Sequence, residues 1–64
     1  MIKMKYKKFD VVELKNGNRA TILQYQGKEY FTEVVNAYGI TLGRQLISND
    51  DISKLVYSKE EISR

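Results

Sequence analysis

Few side chains in this chain could carry chemistry. It contains no histidine and no cysteine, which removes the commonest general base, the thiolate nucleophile and the usual zinc ligands. Asp50 and Asp51 stand side by side in the run Ser48-Asn49-Asp50-Asp51. Two carboxylates can divide acid and base roles, but these fall at a helix start, where Ser and Asn cap and acidic groups suit the positive end of the dipole. They read as caps. A calcium loop needs oxygen ligands at alternating positions, and here Ile52 and Leu55 follow. Asn16-Gly17 and Gln26-Gly27 separate β-rich runs with no helix behind them, so neither forms a phosphate cradle. With no nucleophile-base constellation, a non-catalytic protein without cofactor or metal is expected.

Charge points to a second kind of chemistry, the binding of phosphate backbones. The net charge is +3 and the isoelectric point about 9.3, yet Lys3, Lys5, Lys7 and Lys8 supply most of the excess. From Phe9 to Tyr57 five basic residues face six acidic ones, so the body is nearly neutral. A nucleic-acid binder usually spreads Lys and Arg over a face of its fold. The basic arm would therefore do nearly all the electrostatic work, with Tyr25 the candidate base-stacking contact among Tyr6, Tyr25, Tyr38 and Tyr57.

These residues must be positioned by a small β fold. Strands are expected at Asp10 to Leu14, Arg19 to Tyr25 and Glu29 to Val35, rich in β-branched and aromatic residues. Asn36 to Gly39 reads as a turn. A fourth strand at Ile40 to Ile47 is interrupted by Gly43, a signal of a bend or bulge. A helical turn near residues 49–54 and a fifth strand at Leu55 to Tyr57 complete the reading, with a frayed tail beyond. The alternative is one helix from Asp50 to about Ile62, since Ile52, Leu55, Val56 and Ile62 also fit a helical stripe.

Strand register decides which side chains share a face, because a one-residue slip flips the whole set. Two-residue loops throughout would mix Glu13 and Glu33 with Ala20 and Ile22. Three-residue loops ending at Gly17 and Gly27 instead collect Val12, Leu14, Ala20, Ile22, Tyr30, Thr32 and Val34 on one face. The opposite face then holds Arg19 across from both Glu13 and Glu33, and an apolar set of Phe9, Val11, Leu23 and Phe31. That set needs a cover. Either the cover is intramolecular, with the arm, alternating Ile2, Met4 and Tyr6 with lysines, pairing as an edge strand or folding over it, or with barrel curvature burying part of both faces, or a protein partner docks there.

The pattern FDVVELKNGNRATIL, EYFTEVV and ISNDDISKLV resembles small Src-homology-3-like β-barrels of the bacterial and phage type over about residues 9 to 57. The resemblance implies a five-stranded antiparallel barrel, a fold that hosts protein and nucleic-acid binders alike. The first hairpin is distantly similar to a KOW motif, from which it differs at Phe9 and Ala20, both glycine in that motif. The expectation is a single domain with a basic arm (1–8), a barrel (9–57) and a tail (58–64). Nothing in the sequence has the length of a signal peptide core or a membrane span, so a cytoplasmic location follows as the default. Its expected role is to bind another protein, as small phage or mobile-element inhibitors of host systems do. Nucleic-acid binding is the alternative. Homo-oligomerisation is open, because so short a chain buries a limited core.

Overall fold

The computed structural model describes residues 5–58. Five antiparallel strands, β1 (Val11–Leu14), β2 (Arg19–Gln26), β3 (Glu29–Val35), β4 (Thr41–Ile47) and β5 (Ile52–Tyr57), form one open sheet in the order β4-β3-β2-β1-β5. A single 3-10 turn, Asn49–Asp51, precedes β5. The turn is shorter than the span 49–54 because Ile52 already pairs with Leu14 in the sheet. The continuous helix from Asp50 does not form: residues 52–57 are strand, as β-branched and aromatic side chains favour once a neighbouring strand is available. The tail beyond residue 58, including Ile62, lies outside the described residues.

The first hairpin has the expected three-residue loop. Leu14 N–H donates to the Asn18 carbonyl at 2.8 Å, Gly17 N–H donates to the Leu14 carbonyl at 2.9 Å, and Gly17 sits at φ 95°. This is a left-handed position that glycine occupies without a Cβ penalty. The second hairpin departs from expectation. Gln26 pairs with Glu29, leaving the two-residue turn Gly27-Lys28 with Gly27 at φ 64°. Such a turn alone would place the carboxylates on the apolar face. The sheet restores parity with a bulge: the register shifts between Ile22 and Gln24, leaving Leu23 as the extra residue. A second irregularity leaves Leu42 unpaired beside Gly43, the bend expected in β4.

As a result the inner face is the one anticipated. Val12, Leu14, Ala20, Ile22, Tyr30, Thr32 and Val34 are all buried, joined by Ile47 and Ile52. Val12 and Leu14 of β1, Ile52 of β5 and Ile47 of β4 belong to one cluster although β4 lies at the far edge of the sheet from β5. The sheet is therefore strongly curled, its twist bringing the two ends towards a shared core.

Candidate functional site

The outer face divides into a charged ladder and an apolar band. Glu13 stands between Lys54 of β5 and Arg19 of β2, an alternation of charge whose exposed cross-strand pairs contribute about 0.2 to 1 kcal/mol each. Arg19 does not meet Glu33. The bulge at Leu23 moves β3 along by two positions relative to three-residue loops, so Arg19 faces Val35, and Glu33 lies between Thr21 and Arg44.

Of the candidate docking residues, Val11, Leu23 and Phe31 are half-buried and Phe9 is 51% exposed. Phe31 pairs directly with Leu46 of β4, 45% exposed, and Val11 pairs with Tyr57 of β5, 46% exposed. The apolar set thus extends across all five strands. Leu46 and Tyr57 were not singled out from the sequence. Their spacing of two residues from Arg44 and Leu55 is visible there, but their place beside Phe31 and Val11 depends on long-range pairing.

Phe9 carries an unusual backbone. Its φ of 71° makes it the one described non-glycine residue in the left-handed region. Asp10 N–H donates to the Lys7 carbonyl at 3.1 Å, closing a turn whose third position is Phe9. Phe9 N–H donates to the Ile22 carbonyl at 2.6 Å, while Ile22 N–H donates to the Asp10 carbonyl at 3.0 Å. Two residues thus oppose one in a bulge that ordinarily takes glycine first. An L-residue there costs roughly 1 to 2 kcal/mol. Asp10 holds the turn from inside: it is buried, and its Oδ2 accepts from Lys7 N–H at 3.0 Å.

The basic arm does not run over this band where it is described. Tyr6 packs against the core on the inner side, its ring 6.0 Å from that of Tyr30. The buried Tyr30 hydroxyl accepts from Lys5 N–H at 3.1 Å and Tyr6 N–H at 3.2 Å and donates to Asn49 Oδ1 at 2.6 Å. Tyr25 stacks at a tilt on Tyr30 and donates its hydroxyl to the Tyr6 carbonyl. The expectation that Tyr6 helps cover Leu23 and Phe31 is therefore corrected. The buried Tyr30 offers the arm a hydrogen-bonding anchor, which the hydrocarbon side chains of Leu23 and Phe31 lack. Lys3, Ile2 and Met4 lie outside the described residues. Among the nucleic-acid candidates, Lys5, Lys7 and Lys8 are exposed and Tyr25 is 41% exposed. Lys5 Nζ lies 5.9 Å from the centre of the Tyr6 ring.

Asp51 accepts from Ser48 N–H at 3.0 Å through Oδ2, while its own N–H donates to the Ser48 carbonyl at 3.0 Å. That is the capping role expected of it. Two clefts of about 270 and 280 Å³ indent the surface, slightly below the range of about 300 to 1,000 Å³ for small-molecule sites. Among the described residues no three carboxylates gather as a metal would require, and no helix is long and apolar enough to cross a membrane. Comparison of the chain with family models, with curated proteins and with solved structures finds no match.

Proposed function

We propose that this chain is a non-catalytic interaction module that binds another protein through the outer apolar band. The observation that carries the reading is Phe9: a large aromatic side chain, half exposed, kept at a backbone position that glycine would occupy more cheaply. Strain of this kind persists where a side chain has a use. Leu23, Phe31 and Leu46 extend the surface it begins, and aromatic anchors flanked by polar residues are what protein interfaces concentrate. The strand order and the 3-10 turn before the last strand support the finer reading of a Src-homology-3-like barrel. The chain's size suits a phage or mobile-element inhibitor of a host system, and a cytoplasmic one.

The test is capture of a partner by the intact chain and by Phe9→Ala and Phe31→Ser variants, each checked by thermal denaturation. Partner loss with the fold retained is expected. If Phe31→Ser lowers stability while the same partner is still captured, the band is structural and the reading fails.

One observation favours a second reading, a nucleic-acid contact at the arm: Lys5, Tyr6 and Tyr25 meet at one end of the sheet. Because Tyr6 is part of the core, deleting the arm would perturb the fold. Replacing Lys5, Lys7 and Lys8 together by Gln is the cleaner probe, and binding that falls steeply with salt and with this variant supports that reading.

A further inference from the structure

The apolar character of the sheet's outer face continues onto both of its edges, at Leu46 of β4 and Tyr57 of β5. We infer that β4 is a strand-addition site, taking an extended segment of a partner protein as a sixth antiparallel strand whose sequence runs apolar, apolar, acidic. This rests on the reading of the chain as a protein-binding module and specifies the kind of partner segment it takes.

Both β4 and β5 are edges, and sheet edges usually carry protection against pairing. β5 has such protection: it bears Lys54, and its pairing with β1 shifts register twice. β4, reading TLGRQLI, has neither lysine nor proline; its one charged residue, Arg44, stands opposite Glu33 of β3, and its one register shift lies at the Leu42 bulge, so that from Gly43 to Ile47 its pairing with β3 is regular. Its Leu42 and Leu46 are nearly half exposed. Among the described residues nothing pairs with its outer side.

A cleft of about 270 Å³ lies at the Ile47 end of β4, lined by Leu14, Lys15 and Asn16 of the first hairpin, by Gln45, Leu46 and Ile47, and by Asp51, whose carbonyl accepts from Lys15 N–H at 3.0 Å. Successive strand side chains point to opposite faces. Three consecutive residues of β4 can line one cleft where it opens at the strand's edge or end, and here it lies in the seam between β4 and the first hairpin. The seam's floor is apolar, formed by the buried Leu14 and Ile47.

The register chooses the occupant. Pairing β4 with a two-fold copy of itself over all seven residues sets Arg44 opposite Arg44, an unfavourable like-charge pair. In that register a second copy is a poor fit. A foreign strand can place an apolar side chain beside Leu46, the next one over Leu14 and Ile47 in the cleft, and an acidic one beside Arg44, alternating faces as the pleat requires.

The experiment is an NMR titration of the isotope-labelled chain with a capped, soluble octapeptide containing Val-Val-Glu, and with its Val-Val-Lys counterpart. Shifts confined to residues 41–47 and 14–16, with the Glu peptide preferred roughly threefold to tenfold, are expected. Arg44→Glu should reverse the preference. Arg44→Gln, which avoids setting a carboxylate against Glu33, should abolish it, and Leu46→Lys should weaken both peptides. Absence of shifts at millimolar peptide, shifts centred on β5 or on Phe9 and Leu23, or a preference indifferent to residue 44 would overturn the inference. So would sedimentation showing a dimer that Leu46→Lys dissolves, since the second copy would then be the occupant. Loss of a captured protein in Phe9→Ala with no peptide binding at β4 would leave the module reading standing and this one refuted.

Discussion

Removing one oxygen atom from Tyr30 should cost this small fold a large share of its stability. The hydroxyl uses its full hydrogen-bonding capacity, accepting from Lys5 and Tyr6 N–H and donating to Asn49 Oδ1. A net hydrogen bond contributes about 0.5 to 1.5 kcal/mol, and partly buried amides left without an acceptor add to the loss. Tyr30→Phe keeps the ring in its fully buried site against Tyr6 and Tyr25, so packing should hold while all three bonds disappear. The loss should be about 2 to 3 kcal/mol. A domain of this length has roughly 3 to 10 kcal/mol in total, and its melting temperature should fall by roughly 10 to 20 °C. Urea denaturation followed by circular dichroism measures the change, and amide exchange at Lys5 and Tyr6 should accelerate with it. Asn49→Ala shares one of the three bonds, so combining the two substitutions should cost less than the sum of their separate effects. A loss below about 0.5 kcal/mol, or a fully additive double variant, would refute the claim that this hydroxyl ties arm, sheet and 3-10 turn together.

At Phe9 the ordinary ranking of alanine and glycine should invert. Both substitutions remove the ring, but only alanine keeps the strained left-handed backbone, so Phe9→Gly should exceed Phe9→Ala in stability by about 0.5 to 1 kcal/mol by urea denaturation. Ile22→Ala, at a fully buried position, should cost about 2 to 5 kcal/mol and leave much of the chain unfolded at 37 °C. Leu42→Ala, at the exposed bulge of β4, should stay within about 1 kcal/mol of the parent in the same assay. Equal losses at the two sites would contradict the assignment of inner and outer faces.

The inner face was legible because alternation is local. Once Glu13 and Glu33 are barred from the core, Val12, Ala20, Ile22, Thr32 and Val34 can share a face only if the two hairpins have compatible parity. How parity is met was not legible. A three-residue loop and a two-residue turn with a bulge at Leu23 sort the inner face identically, yet they put different residues opposite Glu33. Choosing between them depends on the pairing of β2 and β3 as a whole. The outer band was half visible for the same reason. Phe9, Val11, Leu23 and Phe31 could be gathered from β1 to β3, but Leu46 and Tyr57 join them only through the register of the two edge strands.

The composition itself, lacking histidine and cysteine, bounded the chemistry, and the spacing of apolar residues and glycines determined the strands and the buried set. Tertiary structure decided where the arm anchors, that Phe9 occupies a glycine's conformation, and which strands form the two edges of the sheet. These depend on contacts between segments far apart in the chain. Tyr30 meets Lys5 and Tyr6, Phe9 meets Ile22, and Leu14 faces Ile47 only after the sheet has curled.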